Sequence, residues 1–329
     1  VPVHDRPRRR PAPLLTHPLT RRLTRPPART LALTLAGAVA ASALAAPASA
    51  ADGAPPQPVT TMWVWDNSIP REVDARGTGY APADPAVLAA WVRERGLTTV
   101  HLSAPWAADV GVVDPWMTAT VDALNAEGVD VGVLGGDPPW LDEPHLAVWW
   151  LQAAVHGRDV AHVQLDVEPW TLPGWRTDRA GILTRWLTML DTARAALPEG
   201  VGLGVDMPYW LAWEPAPGGG TVAQAVLARA DSVGIVTFVD HAAGRDGILA
   251  LSADAVAQTV AAGVPFTIGV ETDAPAVAGG AGWTFGDDGA DVLAAQVQVV
   301  HDALVATPGY RGVAVQHYRT WRELEAATP

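Results

Sequence analysis

Two short segments of this sequence concentrate side chains that can move protons. Gln164-Leu165-Asp166-Val167-Glu168-Pro169-Trp170 places two acids two residues apart, and Gly269-Val270-Glu271-Thr272-Asp273 repeats the spacing. Only ten Glu follow residue 50, and two of them close runs of strand-forming residues here. Residues two apart lie on one face of a strand, so Gln164, Asp166 and Glu168 point together. A second acid nearby raises the proton affinity of the first by repulsion, which is what a general acid near neutral pH requires. Polar and aromatic residues gather at similar points elsewhere: Trp65-Asp66, His101, Trp106, Trp140, Asp206 with Tyr209-Trp210, Asp240-His241 and His317-Tyr318.

Other chemistries have weaker foundations. There is no cysteine, which removes disulfides, thiolate zinc sites and thiol nucleophiles together. No Gly-x-Ser-x-Gly elbow and no His-Glu-x-x-His pair occurs. A metal-dependent hydrolase drawing on His101, Asp166, Glu168, His241 and His317 remains as an alternative, although Trp63-Val64-Trp65 stands where strand one would carry His-x-His. No cofactor or metal is expected.

The elements that must position these side chains alternate regularly. Strands are predicted over Met62–Asp66, Thr98–Ala104, Asp130–Gly135, His162–Glu168, Val201–Asp206, Ser232–Asp240, Pro265–Thr272 and Gly312–Tyr318. Between them lie helical stretches with their own signals. Asp84-Pro85 and Asp114-Pro115 read as N-cap followed by Pro at the first helical position. Further helices are predicted from Asp142 to Gly157, over Asp178–Ala196, Thr221–Arg229, Ser252–Ala262 and Asp291–Ala306, and over Trp321–Ala326. This alternation indicates an α/β fold, a single-domain (β/α)8 TIM barrel. The competing doubly wound sheet would carry a Gly-rich turn after its first strand, where Asp66-Asn67-Ser68-Ile69-Pro70 stands instead.

In such barrels chemistry sits at the C-terminal ends of the strands, and strands four and seven face each other across the mouth. Glu168 and Glu271 would therefore flank a substrate bond, the arrangement of glycoside hydrolysis. One carboxyl protonates the leaving oxygen; the other attacks the anomeric carbon, or activates water across a wider gap. All 15 Trp follow residue 60, against four Tyr and three Phe. Trp65, Trp106, Trp140, Trp170 and Trp210 fall beside strand ends, where flat rings can stack on sugars. Asp66, His101, Asp206, Tyr209, Asp240, His241, His317 and Tyr318 complete the candidate substrate-binding set.

On these residues the chain resembles the clan A glycoside hydrolases. That resemblance implies Glu168 as acid/base, Glu271 as nucleophile and a retaining outcome, with Asp166 supporting Glu168. Val167 stands where that clan carries Asn. Asp166-Val167-Glu168 is also similar to the Asp-x-Glu ending of the family 18 chitinase motif, with Gln164 and Ala161 in place of earlier Asp, and Val236-Thr237-Phe238-Val239-Asp240-His241 is faintly similar to that family's Met-x-Tyr-Asp region. That likeness implies a substrate N-acetyl group as nucleophile in place of Glu271. The non-enzymatic alternative is a secreted carbohydrate-binding barrel with a degenerate site.

Charge divides the chain. The 22 basic residues are all Arg, and eight of them lie in residues 1–50 with a single acid, Asp5. The remainder carries 14 basic against 34 acidic residues, a poor partner for nucleic acid or an anionic membrane. Arg21, Arg22, Arg25 and Arg29 precede the uncharged run Leu31–Ala46 and then Ala48-Ser49-Ala50, the pattern of a secretory signal peptide over residues 1–50. No Phe-Leu follows Arg21-Arg22, so the general secretory route is expected over the twin-arginine route. A Pro-rich linker is expected at 51–60 and the barrel over 61–329, giving an extracellular protein whose partner is a carbohydrate and which has no stable membrane association.

Overall fold

A computed structural model describes residues 57–67 and 82–327. The predicted leader and the first part of the linker lie outside the described residues. Eight parallel strands close into one barrel in chain order. They are β1 Val59–Val64, β2 Thr99–Ser103, β3 Asp130–Gly135, β4 His162–Leu165, β5 Gly202–Pro208, β6 Ser232–Val236, β7 Phe266–Glu271 and β8 Tyr310–Gln316. β1 opens two residues before the predicted start of the barrel. β4 and β6 end before their predicted limits, so Asp166, Glu168 and Asp240 sit on the loops that leave these strands.

Period-2 alternation sorts the strand residues into two environments. Met62, Val100, Val131, Val133, Val163 and Leu203 share the outer face through the parallel register and are fully buried in the large apolar core beneath the helices. The inner face differs. Trp63 pairs with His101, His101 with Gly132, and Gly132 with His162. Gln164 pairs with Gly204, Asp206 with Gly234, and Glu271 with Gln316. Trp63, Leu134 and Ala314, with Trp65 against them, form a small apolar cluster separate from the outer core. The barrel interior is thus a mixture of one large indole, polar side chains and glycines, instead of layers of branched aliphatics.

The helices are α1 Pro85–Glu94, α2 Val113–Ala126, α3 Pro144–Val155, α4 Arg179–Ala195, α5 Val222–Leu227, α6 Ile248–Ala262, α7 Pro275–Ala278, α8 Ala290–Leu304 and α9 Tyr318–Ala327. Local signals account for most starts. Asp84 caps α1 through Val87 N at 3.0 Å, Asp178 caps α4 through Gly181 N at 3.2 Å, and Thr221 with Gln224 forms a capping box on α5. Asp114 does not cap α2. It lies inside the first turn, and its carboxylate meets the buried Arg158 guanidinium at 2.5 Å. α6 starts one turn before the predicted Ser252, because that hydroxyl bonds back to Ile248 O at 2.7 Å within the helix. Among the described residues, no helix is long and apolar enough to cross a membrane.

Candidate active site

The inner face is organised around an indole that spans the barrel. Trp63 leaves β1 and its Nε1–H donates to Asp206 Oδ2 on β5 at 3.0 Å. Gln164 Nε2 on β4 donates to Asp206 Oδ1 at 2.9 Å. Space for this set comes from glycine. A Cβ on Gly204 would fall 1.8 Å from Gln164 Oε1, and one on Gly234 would fall 2.4 Å from Asp206 Oδ1. Asp206 is only 2% exposed. Burial pushes it up to about 7, the two hydrogen bonds oppose the rise, and the charge of Glu168 adds to it.

Glu168 follows β4 at the alternate positions begun by Gln164 and Asp166. Val167 between them is buried in the outer core, whereas Asp166 and Glu168 are half-buried. The acid shown to respond to the charge of Glu168 is Asp206, on the neighbouring strand β5. Asp137, at the end of β3, is another half-buried acid whose proton affinity is raised by burial.

Glu271 closes β7 inside a cage. Its Oε1 accepts from Thr272 N and Asp273 N, each at 2.8 Å, and its Oε2 accepts from Gln316 Nε2 on β8 at 3.0 Å. It is 5% exposed. Burial, reinforced by Asp273, pushes it up to about 8 against these donors. His317 is buried beside it, with Nε2 3.4 Å from Asp273 Oδ1.

His101 lies in mid-strand, on the floor and away from the mouth. Its Nδ1 is 3.0 Å from His162 Nε2, and its ring is 5.5 Å from that of Trp63. Burial lowers both histidines: His162 falls to about 4, and His101, further opposed by a charge on His162, lies well below the usual range. A direct role for His101 in binding substrate is not supported by this placement. Among the described residues, no group of three or more His, Asp or Glu is arranged to hold a metal ion.

Two predicted binding residues belong to the framework instead. Asp66 is buried and accepts from Arg319 Nε and Nη2 at 3.0 and 2.6 Å. Tyr318 starts α9 and packs edge-on against Trp91, with its hydroxyl accepting from Arg322 Nη1 at 2.8 Å. The prediction ended strand eight two residues too late, since β8 stops at Gln316 and Tyr318 already belongs to α9.

The remaining aromatics divide by exposure. Trp140 is buried against Trp150 at 5.2 Å and supports Trp106, which is 47% exposed and meets it edge-on at 5.9 Å. Trp170 lies two residues after Glu168, is half-buried, and meets Trp210 at 5.1 Å. Tyr209 is half-buried and meets the exposed Trp213 at 5.5 Å. Trp65 is half-buried over the interior cluster. Asp240 and His241 leave β6 as a pair, with Asp240 Oδ1 and His241 Nδ1 2.6 Å apart; that hydrogen bond raises the proton affinity of the histidine. The site residues missing from the sequence prediction are Trp63, Gln164, His162 and Gln316. The period-2 rule finds Gln164 and Gln316 from their neighbours; nothing local marks Trp63 or His162 as partners of distant strands.

No protein-family model and no curated protein sequence matches this chain. Solved structures do. The PgaB (BpsB) glycoside hydrolase domain from Bordetella bronchiseptica aligns with a TM-score of 0.53 and 9% identity, covering 82% of this chain and 96% of that one. The endo-beta-N-acetylglucosaminidase from Cordyceps militaris aligns at 0.50 and 13%, covering 79% and 81%. At such identities the similarity is one of fold, and the fold this chain shares with them is a (β/α)8 barrel.

Proposed function

We propose that this chain is an exported glycoside hydrolase that cleaves a poly- or oligosaccharide, with Glu168 protonating the leaving oxygen. The observation that carries the reading is the Asp206–Glu168 pair. One carboxyl is sealed in the barrel floor and the other is half-exposed above it, close enough for its charge to raise the first. Burial, with the charge of Glu168 adding to it, pushes Asp206 up to about 7, and repelling carboxyls titrate as a pair. Glu168 is the member a substrate can reach. Half-buried Trp170 and exposed Trp106 supply flat surfaces at the same mouth, and the two similar structures are of an endo-beta-N-acetylglucosaminidase and a glycoside hydrolase domain.

The attacking group is a separate question. If Glu271 attacked, it would have to be ionised while the Asp206–Glu168 pair kept its proton. Burial pushes Glu271 up to about 8, so its ionised form is the minor one near neutral pH. Its burial, working against the donors of its cage, favours a second reading, in which a 2-acetamido group of the substrate attacks and Glu271 remains a neutral carboxyl. Both routes retain anomeric configuration. The decisive experiment compares Glu168→Gln with the wild type on glycans with and without 2-acetamido groups, following product stereochemistry by NMR. Turnover lost in the variant, with retention confined to acetamido sugars, supports the second reading. Wild-type turnover in the variant refutes Glu168 as the acid, and binding without turnover in the wild type identifies a carbohydrate-binding barrel.

A further inference from the structure

We propose that Gln316 contacts the glycan, and that its side-chain amide offers the sugar a hydrogen-bond donor while Glu271 holds its proton and an acceptor once Glu271 is ionised. This deepens the reading of the barrel mouth as a glycan site and rests on it. Gln316 closes β8 on the inner face: Ala314, two residues earlier, lies in the interior cluster, and Val315 between them is buried in the outer core. Register sets it between Glu271 on β7 and Trp63 on β1. It is half-buried, its Nε2 is engaged by Glu271, and among the described residues no donor reaches its Oε1. That oxygen is accessible from outside.

The two oxygens of Glu271 are unlike. Oε1 accepts from Thr272 N and Asp273 N, each at 2.8 Å. Backbone N–H groups only donate, so a proton has no place on Oε1. Oε2 meets Gln316 Nε2 at 3.0 Å, and no other described donor bonds to it. The proton of the neutral acid therefore belongs on Oε2, where it faces the amide. An amide nitrogen cannot accept it, whereas an amide oxygen can. A half-turn of the carboxamide exchanges two atoms of nearly equal size. It brings Oε1 onto the acid and carries the NH2 group to the mouth.

The groups around Glu271 leave this exchange to the one proton. Asp273 follows it on the same loop, and its charge adds to the burial that pushes Glu271 up to about 8 against three donors. The turned amide withdraws one of those donors. Thr284 and Phe285, ahead of α8, bond to the Glu271 carbonyl and are neutral. His317, after β8, lies with Nε2 3.4 Å from Asp273 Oδ1. Beyond β1, Asp66 is held by Arg319, and beyond β6, Asp240 and His241 bond to each other.

The test is an NMR titration of the full chain that follows the Gln316 side-chain amide, assigned from its own backbone resonances, together with the Glu271 carboxyl carbon. Both should inflect at one midpoint near pH 8, with one amide proton moving downfield as it is drawn to the carboxylate. Glu271→Gln mimics the neutral acid and should leave the Gln316 amide independent of pH. An amide that ignores the ionisation of Glu271, or that still donates to it below the midpoint, overturns the proposal. The sugar contact is read at pH 6 by adding N-acetylglucosamine trisaccharide to Glu168→Gln. The Gln316 amide protons should shift together with the indole protons of Trp106 or Trp170. Indole shifts without an amide shift overturn the contact. The absence of any shift refutes the glycan reading itself, and the contact with it.

Discussion

Trp63 on β1 and Asp206 on β5 are four strands apart around the barrel, yet the indole N–H of one donates to a carboxylate oxygen of the other at 3.0 Å. A side chain long enough to cross the interior replaces the aliphatic layers usual in such barrels. It also ties the floor of the barrel to the acids at its mouth.

Replacing Asp206 by Asn removes the charge that opposes ionisation of Glu168. The pH at which activity falls on the alkaline side should drop, with rates at neutral pH falling with it. A pH profile of kcat/KM checks this, and an unmoved limb would disconnect Asp206 from the reaction.

Glu271→Gln should stabilise the fold in alkaline solution. The acid binds its proton more tightly in the folded chain than in the unfolded one, so its contribution is fully present below about pH 4.5 and lost as pH rises to about 8. Above that pH the gain should be on the order of 3–5 kcal/mol, vanishing in acid. Urea denaturation at pH 4 and pH 9 measures the difference.

The histidine pair acts in the opposite sense. His162 binds its proton more weakly when folded, so its stabilising share is complete above about pH 6.5 and disappears as pH falls to about 4. His162→Gln should remove about 3 kcal/mol of that acid sensitivity. A midpoint-versus-pH curve of unchanged slope in the variant would exclude the pair as its cause.

Arg158 reaches the carbonyls of Ala108, Ala153 and Ala154 together with Asp114, and its side chain is fully buried. Arg158→Met leaves those carbonyls without their donor, while the part-exposed Asp114 turns to water, and should cost about 1–3 kcal/mol without altering substrate specificity. Thermal denaturation with activity on the folded fraction tests both parts.

Trp106 and Trp140 touch, but only one faces solvent. Trp106→Ala should weaken glycan binding about tenfold or more and leave the melting temperature nearly unchanged. Trp140→Ala should cost about 3–5 kcal/mol through the cavity it leaves. Affinity electrophoresis in polysaccharide gels and calorimetry separate the two.

Much of the architecture was legible because its causes are local. Asp84 before Pro85, Asp178 before Arg179, and Thr221 with Gln224 mark helix starts through side chains that reach only two or three residues ahead. Ser252 misled for the complementary reason: a hydroxyl can cap a helix or bond back inside one, and the spacing does not distinguish these. The site was legible in part. Glu271 closes β7 as its spacing indicates, whereas Asp166 and Glu168 lie just past β4, on the loop that leaves it. Asp66 and Tyr318 were misread, since a strand-end position does not reveal whether another element has already taken the side chain.

Eight strands, their order of alternation with helices, and the acidic character of the body were set by the sequence alone, through periodicity, caps and composition. The partners inside the barrel were decided only by tertiary structure. Arg319 claims Asp66 from 253 residues away, and Trp63 finds Asp206 from 143 residues away. Such pairs depend on closure of the sheet, on strand register, and on the glycines opposite, and none of these leaves a local pattern in the chain.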